Sequence, residues 1–205
     1  MASQTPRLDD VALKVLPDGS ASDATAALLE AVAFAAEKHR DQRRKDADAS
    51  PYINHPIELA TLLERQGIDD LIVLCASLLH DTVEDTNTTP DELRHAFGDA
   101  VTDVVLEVTD DTSLPKLQRK QLQIDHAATL SKRARLVKLA DKICNLRDMA
   151  TSPPSGWPLQ RRLEYFAWAK DVIDRLRGTH TGLEAMFDRV YADGLEQLLK
   201  LSDSV

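Results

Sequence analysis

The segment Leu78-Leu79-His80-Asp81-Thr82-Val83-Glu84-Asp85 sets one imidazole and three carboxylates directly after a stretch that is apolar almost all round. Between Leu71 and Leu79 only Ser77 is polar. A helix that is hydrophobic on every side belongs in the middle of a domain. It therefore carries His80 and Asp81 to the edge of the core, where an unpaired carboxylate is costly. Such groups persist when they are ion-paired, strongly hydrogen-bonded or bound to a cation. The cation reading requires further ligands, and two residues suit it. His55 stands before Pro56, whose ring restricts the backbone of the preceding residue. Asp141 lies on a helical pattern whose apolar arc includes Leu136, Leu139, Ala140 and Ile143. It sits at the edge of that arc beside Val137, with Asn145 one turn further along, and so faces a cleft. Two imidazoles with two carboxylates favour octahedral Mn²⁺ or Fe²⁺ over a closed structural zinc site. Taken singly, each residue has a plainer reading: an ion pair for His80 and Asp81, a solvated helix position for Asp141, and a cap before Thr86-Asn87 for Glu84 and Asp85.

These side chains need helices to hold them. Ser22 or Asp23 caps a helix through about His39, and the charged segment 40–54, with Ser50-Pro51, reads as a loop. Pro56 suits a first helical position, and Gly67 closes that helix after Gln66. Asp69 begins the central apolar helix. Thr89-Pro90-Asp91-Glu92 combines a cap, a proline and a capping-box glutamate, and Gly98 closes this short helix. Further helices are predicted over 99–109, 115–128, 132–149, 158–177 and 181–201, with a break at Ser152-Pro153-Pro154-Ser155-Gly156. Strand-like alternation is essentially absent. The pattern predicts a single all-α domain of about nine helices over 22–205, preceded by a loosely ordered extension over 1–21.

The chain has 205 residues, 43% of them hydrophobic, enough for one compact domain with a sizeable core. Its formal net charge of −9 argues against nucleic acid or an anionic membrane as the main partner. Arg40, Arg43, Arg44 and Lys45 form a local exception suited to phosphate. Cys75 and Cys144 lie in apolar helical patterns and read as buried free thiols of a reducing compartment. Residues 1–10 lack the basic region and apolar run of a secretory signal, and no segment is long enough to span a bilayer, so the expected address is the cytoplasm.

His55, the His80-Asp81 pair and Asp141 together resemble the pattern of the HD-domain metal-dependent phosphohydrolases. Arg43-Arg44-Lys45, Tyr52-Ile53-Asn54-His55-Pro56, Val108-Thr109-Asp110-Asp111 and Leu139-Ala140-Asp141-Lys142-Ile143-Cys144-Asn145-Leu146 narrow the likeness. With the His80 segment they resemble the small alarmone hydrolases, stand-alone relatives of the hydrolase domain of RelA/SpoT homologues, and most of all their metazoan-type branch. The likeness runs over about residues 24–195. It implies an all-α HD fold and a Mn²⁺ ion held by His55, His80, Asp81 and Asp141. It implies removal of the 3′-pyrophosphate from ppGpp or pppGpp, giving GDP or GTP and pyrophosphate, with Glu84 and Asp85 orienting or deprotonating the attacking water. By the same resemblance Arg44, Lys45, Tyr52, Asn145, Arg161 and Tyr165 contact the substrate. The synthetase and regulatory modules of the long bifunctional members have no counterpart expected here. An NADPH 2′-phosphatase, or another nucleotide phosphohydrolase with the same site, is the alternative enzyme. A non-catalytic alarmone-binding module is the remaining reading, against which the complete set of acidic and imidazole residues speaks. Trp157, Phe166 and Trp168 are expected to pack, His39, His95, His126 and His180 to lie at the surface or cap helices, and Lys116, Arg119 and Lys120 to form a solvated helix face.

Overall fold

The computed structural model describes residues 21–202. Within them the helical periodicity becomes α1 (Ala21–Lys38), α2 (Asn54–Arg65), α3 (Leu71–Leu79), the single turn α4 (Thr82–Asp85), α5 (Pro90–Val108), α6 (Lys116–Ala127), α7 (Lys132–Thr151), α8 (Leu159–Asp174) and α9 (Thr181–Ser202). An isolated antiparallel bridge joins Arg43 to Pro51, and there is no strand among the described residues. The fold is all-α, as the sequence predicts. The extension expected over 1–21 lies outside the described residues, apart from Ala21 at the start of α1. No helix among the described residues is long and apolar enough to cross a membrane.

The apolar helix α3 sits at the centre. Ile72 through Leu79 are all buried, and α3 packs against α1, α2, α5 and α7. Its cap is Asp70, not the expected Asp69: the Asp70 carboxylate accepts the Ile72 N–H at 3.0 Å from an extended backbone, the conformation a cap requires. α3 stops at the His80-Asp81 junction, where Asp81 takes φ −98° and ψ −2°. That sparsely populated region often holds active-site residues. Glu84 and Asp85 therefore lie on a new turn, not on a continuation of α3.

α2 starts earlier than the sequence suggests, at Asn54. Pro56 is its third residue, still within the first turn, where backbone N–H groups have no intrahelical acceptor and a missing donor costs nothing. His55 is thereby built into the helix and buried against the core. The expected break at Gly98 is present inside α5, whose two halves meet at φ 78° and ψ 172°, a conformation that favours glycine. α8 ends at Asp174, short of the predicted 177, and a turn then leads to Gly178.

α7 packs on α2, α3, α5, α8 and α9. Its buried face holds Leu136, Val137, Leu139, Ala140, Ile143, Cys144 and Leu146, and also two lysines, Lys138 and Lys142. Cys75 and Cys144 are buried free thiols, and burial pushes Cys75 up to about 12. Leu79 is fully buried at the last turn of α3, next to His80. Leu79→Ala should cost about 2–5 kcal/mol in urea unfolding, and a loss below 1 kcal/mol would contradict the central position of α3.

Candidate active site

The proposed ligands arrive from three elements: His55 from α2, His80 and Asp81 from the α3–α4 junction, and Asp141 from α7. His55 Nε2 lies 3.2 Å from Asp141 Oδ1, and His80 Nε2 lies 2.9 Å from Asp81 Oδ2 and 4.0 Å from Asp141 Oδ1. His55, His80 and Asp141 offer ligand atoms within 4.8 Å of one another, and Asp81 reaches the group through its contact with His80. Donors on an octahedral cation with bonds of about 2.1 Å sit about 3.0 Å apart when adjacent and about 4.2 Å apart when opposite. The distances of 2.9, 3.2 and 4.0 Å fall near those two values.

The hydrogen bonds fit a cation as well. His80 Nδ1 donates to the Ser77 carbonyl at 2.8 Å, which fixes the tautomer and leaves Nε2 bare, buried and without a hydrogen-bond partner. A second ring nitrogen tied to a backbone carbonyl is the usual support of a metal-binding histidine. Burial pushes the Asp141 carboxyl up, but Lys142 and His55 outweigh it and hold it well below the usual carboxylate range. Burial likewise opposes charge on His80, yet the Asp81 and Asp141 carboxylates raise its imidazole to about 9. Two carboxylates face this bare nitrogen, so the pocket attracts either a proton or a metal ion.

Support comes from residues around the ligands. Tyr52 donates its hydroxyl to Asp81 Oδ2, Asn145 donates its amide to Asp141 Oδ1, and Lys142 Nζ lies 2.9 Å from Asp141 Oδ2. Tyr52 and Asn145, expected on the substrate, thus spend their polar groups on the acidic ligands. Glu84 Oε2 accepts the Asp110 N–H at 2.9 Å, and its Oε1 stands 3.6 Å from Arg119 Nη1. Burial pushes the Glu84 carboxyl up to about 7, with Asp110, Asp81 and Asp85 adding to the effect and the Asp110 N–H opposing it. Asp85 Oδ2 accepts from Gln42 Nε2 at 2.9 Å.

The ligand pocket, about 180 Å³, includes Glu84 and Lys138 in its wall. It adjoins a larger cleft of about 400 Å³ bordered by Arg44, Lys45, Asp148, Trp157 and Tyr165. Tyr52, His55, Asp85 and Asn145 line both. Arg44 pairs with Asp148 and lies 5.8 Å from the Tyr52 ring centroid. Arg43 donates to the Arg40 and Gln42 carbonyls and is thereby drawn toward its own loop. Arg161 is at the outer rim, stacked 3.8 Å from the Trp157 ring centroid, while Tyr165 one turn on faces the cleft.

Two expectations need correction. Lys116, Arg119 and Lys120 are not simply a solvated face: Lys116 covers Trp157, Arg119 approaches Glu84, and Lys120 Nζ lies 4.6 Å from the Trp168 centroid. Their helix packs against α8, which turns the basic stripe toward the site. As expected, Trp157 packs against the core, and it also lines the cleft, whereas Phe166 is fully buried. His39 is buried against Tyr52, not superficial, while His180 Nδ1 accepts the Leu183 N–H as a cap of α9. Lys138 and Lys142 went unrecognised. Lys138 lies three residues before Asp141 and four before Lys142, spacings that set each pair on neighbouring positions of α7.

Residues 31–164 match the HD domain family. The chain is 55% identical over 173 residues to the Xenopus tropicalis protein named guanosine-3′,5′-bis(diphosphate) 3′-pyrophosphohydrolase MESH1, covering 84% of this chain and 96% of that one. The Homo sapiens protein of the same name is 54% identical over 167 residues, covering 81% and 93%. A solved structure described as a metazoan orthologue of SpoT that hydrolyses ppGpp and plays a role in starvation responses is 47% identical, with a TM-score of 0.80 over 87% of this chain and 98% of that one. The chain belongs to the HD-domain family and, within it, to the MESH1 group.

If the four residues hold a divalent ion, adding that ion to apo protein should raise the melting temperature, because ligands that bind only the folded state stabilise it. Asp141→Asn should remove that increment. An unchanged increment in this variant, read by differential scanning fluorimetry, would place the ion elsewhere.

Proposed function

We propose that this protein hydrolyses the 3′-pyrophosphate of guanosine 3′,5′-bispyrophosphate, with Mn²⁺ held by His55, His80, Asp81 and Asp141. The observation that carries this reading is the bare, buried Nε2 of His80 facing two ionised carboxylates and a second imidazole. The relatives named for this activity lend the substrate. A bound divalent ion supplies Lewis-acid polarisation of a phosphoryl oxygen and of water.

The chain's own groups do the rest. Glu84 and Asp85 stand beside the ligand pocket, where they orient a water and take its proton. The water oxygen forms a bond to the phosphorus nearest the ribose as the bond from that phosphorus to the 3′-oxygen breaks. The 3′-oxygen leaves with a proton, and pyrophosphate departs intact. Lys142 and Lys138 border the same pocket, where positive charge offsets the negative charge gathering on phosphoryl oxygens. Arg44, Lys45, Tyr165 and the rim residue Arg161 bind and orient the nucleotide. Tyr52 and Asn145 act on it through the carboxylates they hold. The free thiols of Cys75 and Cys144 support a reducing compartment, the cytoplasm.

Purified protein with Mn²⁺ should release pyrophosphate from ppGpp, a chelator should stop the reaction, and Asp81→Asn should keep the fold while abolishing turnover. Absence of pyrophosphate, or much faster phosphate release from NADPH, would overturn the assignment. Glu84→Gln should lower kcat by about 10²–10⁴-fold. Because the Glu84 carboxyl is raised to about 7, its basic form is lost as pH falls. A divalent ion nearby favours the ionised form, so the acid limb of kcat should fall below that value and above the ordinary 4.5. A kcat profile flat from pH 5 to 8 would remove Glu84 as the base.

A further inference from the structure

Behind Asp85 runs a chain of side chains that neither the ligand set nor the substrate contacts use. His39 Nδ1 lies 2.6 Å from Gln42 Oε1, and Gln42 Nε2 donates to Asp85 Oδ2 at 2.9 Å. The polarity of this chain follows from its end. Were the Gln42 amide turned over, its oxygen would face the Asp85 carboxylate, two acceptors against one another with no proton between them. The amide nitrogen must therefore point at Asp85 and the amide oxygen at His39. An amide oxygen only accepts, so His39 carries its proton on Nδ1. His39 Nε2 is buried without a partner, so Nδ1 makes the ring's one side-chain hydrogen bond.

The backbone pins the middle of the chain. Gln42 N–H donates to the His39 carbonyl at 2.9 Å, and the Gln42 carbonyl accepts the Tyr52 N–H at 3.2 Å and Arg43 Nη1 at 2.9 Å. The His39 ring also lies against Tyr52, with centroids 4.8 Å apart, and Tyr52 donates to Asp81. The end of α1 thus reaches two acidic residues, Asp81 through Tyr52 and Asp85 through Gln42. Asp85 itself is exposed, and Gln42 supplies the side-chain hydrogen bond that restrains its carboxylate.

We infer that Gln42, locked in orientation by the His39 Nδ1–H, is a positioning residue that holds Asp85 by one carboxylate oxygen and leaves the other turned to the attacking water. This rests on the role given to Asp85 above. Its physical content is that an exposed carboxylate samples several rotamers, and a fixed donor selects the productive one.

The test uses the full-length Mn²⁺-loaded protein with ppGpp. Gln42→Met keeps the length of the side chain and removes both hydrogen bonds. It should lower kcat about 10- to 100-fold, the range of outer-shell hydrogen bonds, while KM moves less than about 3-fold and the melting temperature stays within a few degrees. His39→Phe keeps the ring against Tyr52 and removes only the bond that orients Gln42, so it should lower kcat less. The double variant should be no slower than Gln42→Met, because both changes break one chain. Asp85→Asn separates the two levels of the argument. If Asp85→Asn retains full kcat, the role of Asp85 fails. If Asp85→Asn is inactive while Gln42→Met turns over within about 2-fold of the parent, or the two chain variants lose activity multiplicatively, the positioning role fails. Should His39→Phe not fold, the split between kcat and KM in Gln42→Met decides alone.

Discussion

Carboxylates are brought to the end of an apolar helix and must be kept ionised there, and the rest of the structure is arranged around that requirement. Asp81 and Asp141 lie where burial would otherwise neutralise them. Two imidazoles, the Tyr52 hydroxyl, the Asn145 amide and the Lys142 ammonium converge on them. These partners come from α2, the loop before it, the α3–α4 junction and α7. The site therefore exists only while those helices hold their register. The core packing that fixes α3 between α1, α2, α5 and α7 is a condition for the chemistry as much as for stability.

A second consequence concerns where positive charge is left over. Arg44 is answered by Asp148, and Lys142 by Asp141. Lys116, Lys120 and Arg161 instead rest on the faces of Trp157, Tyr165 and Trp168, with no ion pair within 4.0 Å among the described residues. Burial, and for both lysines the repulsion of neighbouring cations, pushes Lys116 and Lys120 down. An anion settling among them relieves that repulsion. In a chain whose net charge is −9, this concentration beside the acidic pocket is what lets a polyanion approach ionised carboxylates at all. The aromatic faces hold the cations in place through quadrupole attraction while leaving their charge uncancelled.

The outer supports show how a helix end can serve a site without touching it. His39 closes α1, and the turn after it carries Gln42. Both residues are tied to the Tyr52 loop by backbone hydrogen bonds or ring contact. Order at the acidic residues is thus tied to α1, which packs against the central helix α3.

The sequence by itself determined the helices and singled out the imidazoles and carboxylates of the pocket. The apolar run before His80 can only be a central helix, Thr89-Pro90 and Gly98 can only start and break one, and Asp141 with Asn145 falls on one ridge by simple spacing. What the sequence left undecided were matters of direction. Whether Lys116 and Lys120 meet water or Trp157 and Trp168 depends on how α6 lies against α8, and helical periodicity is silent on which neighbour covers a polar face. Pro56 marks a first turn but not its first residue, since any of the leading N–H positions tolerates proline. His39, Gln42, Lys138 and Lys142 look like ordinary polar positions along the chain. They become parts of a site only because contacts between residues far apart in sequence are set by packing, which local propensity does not encode.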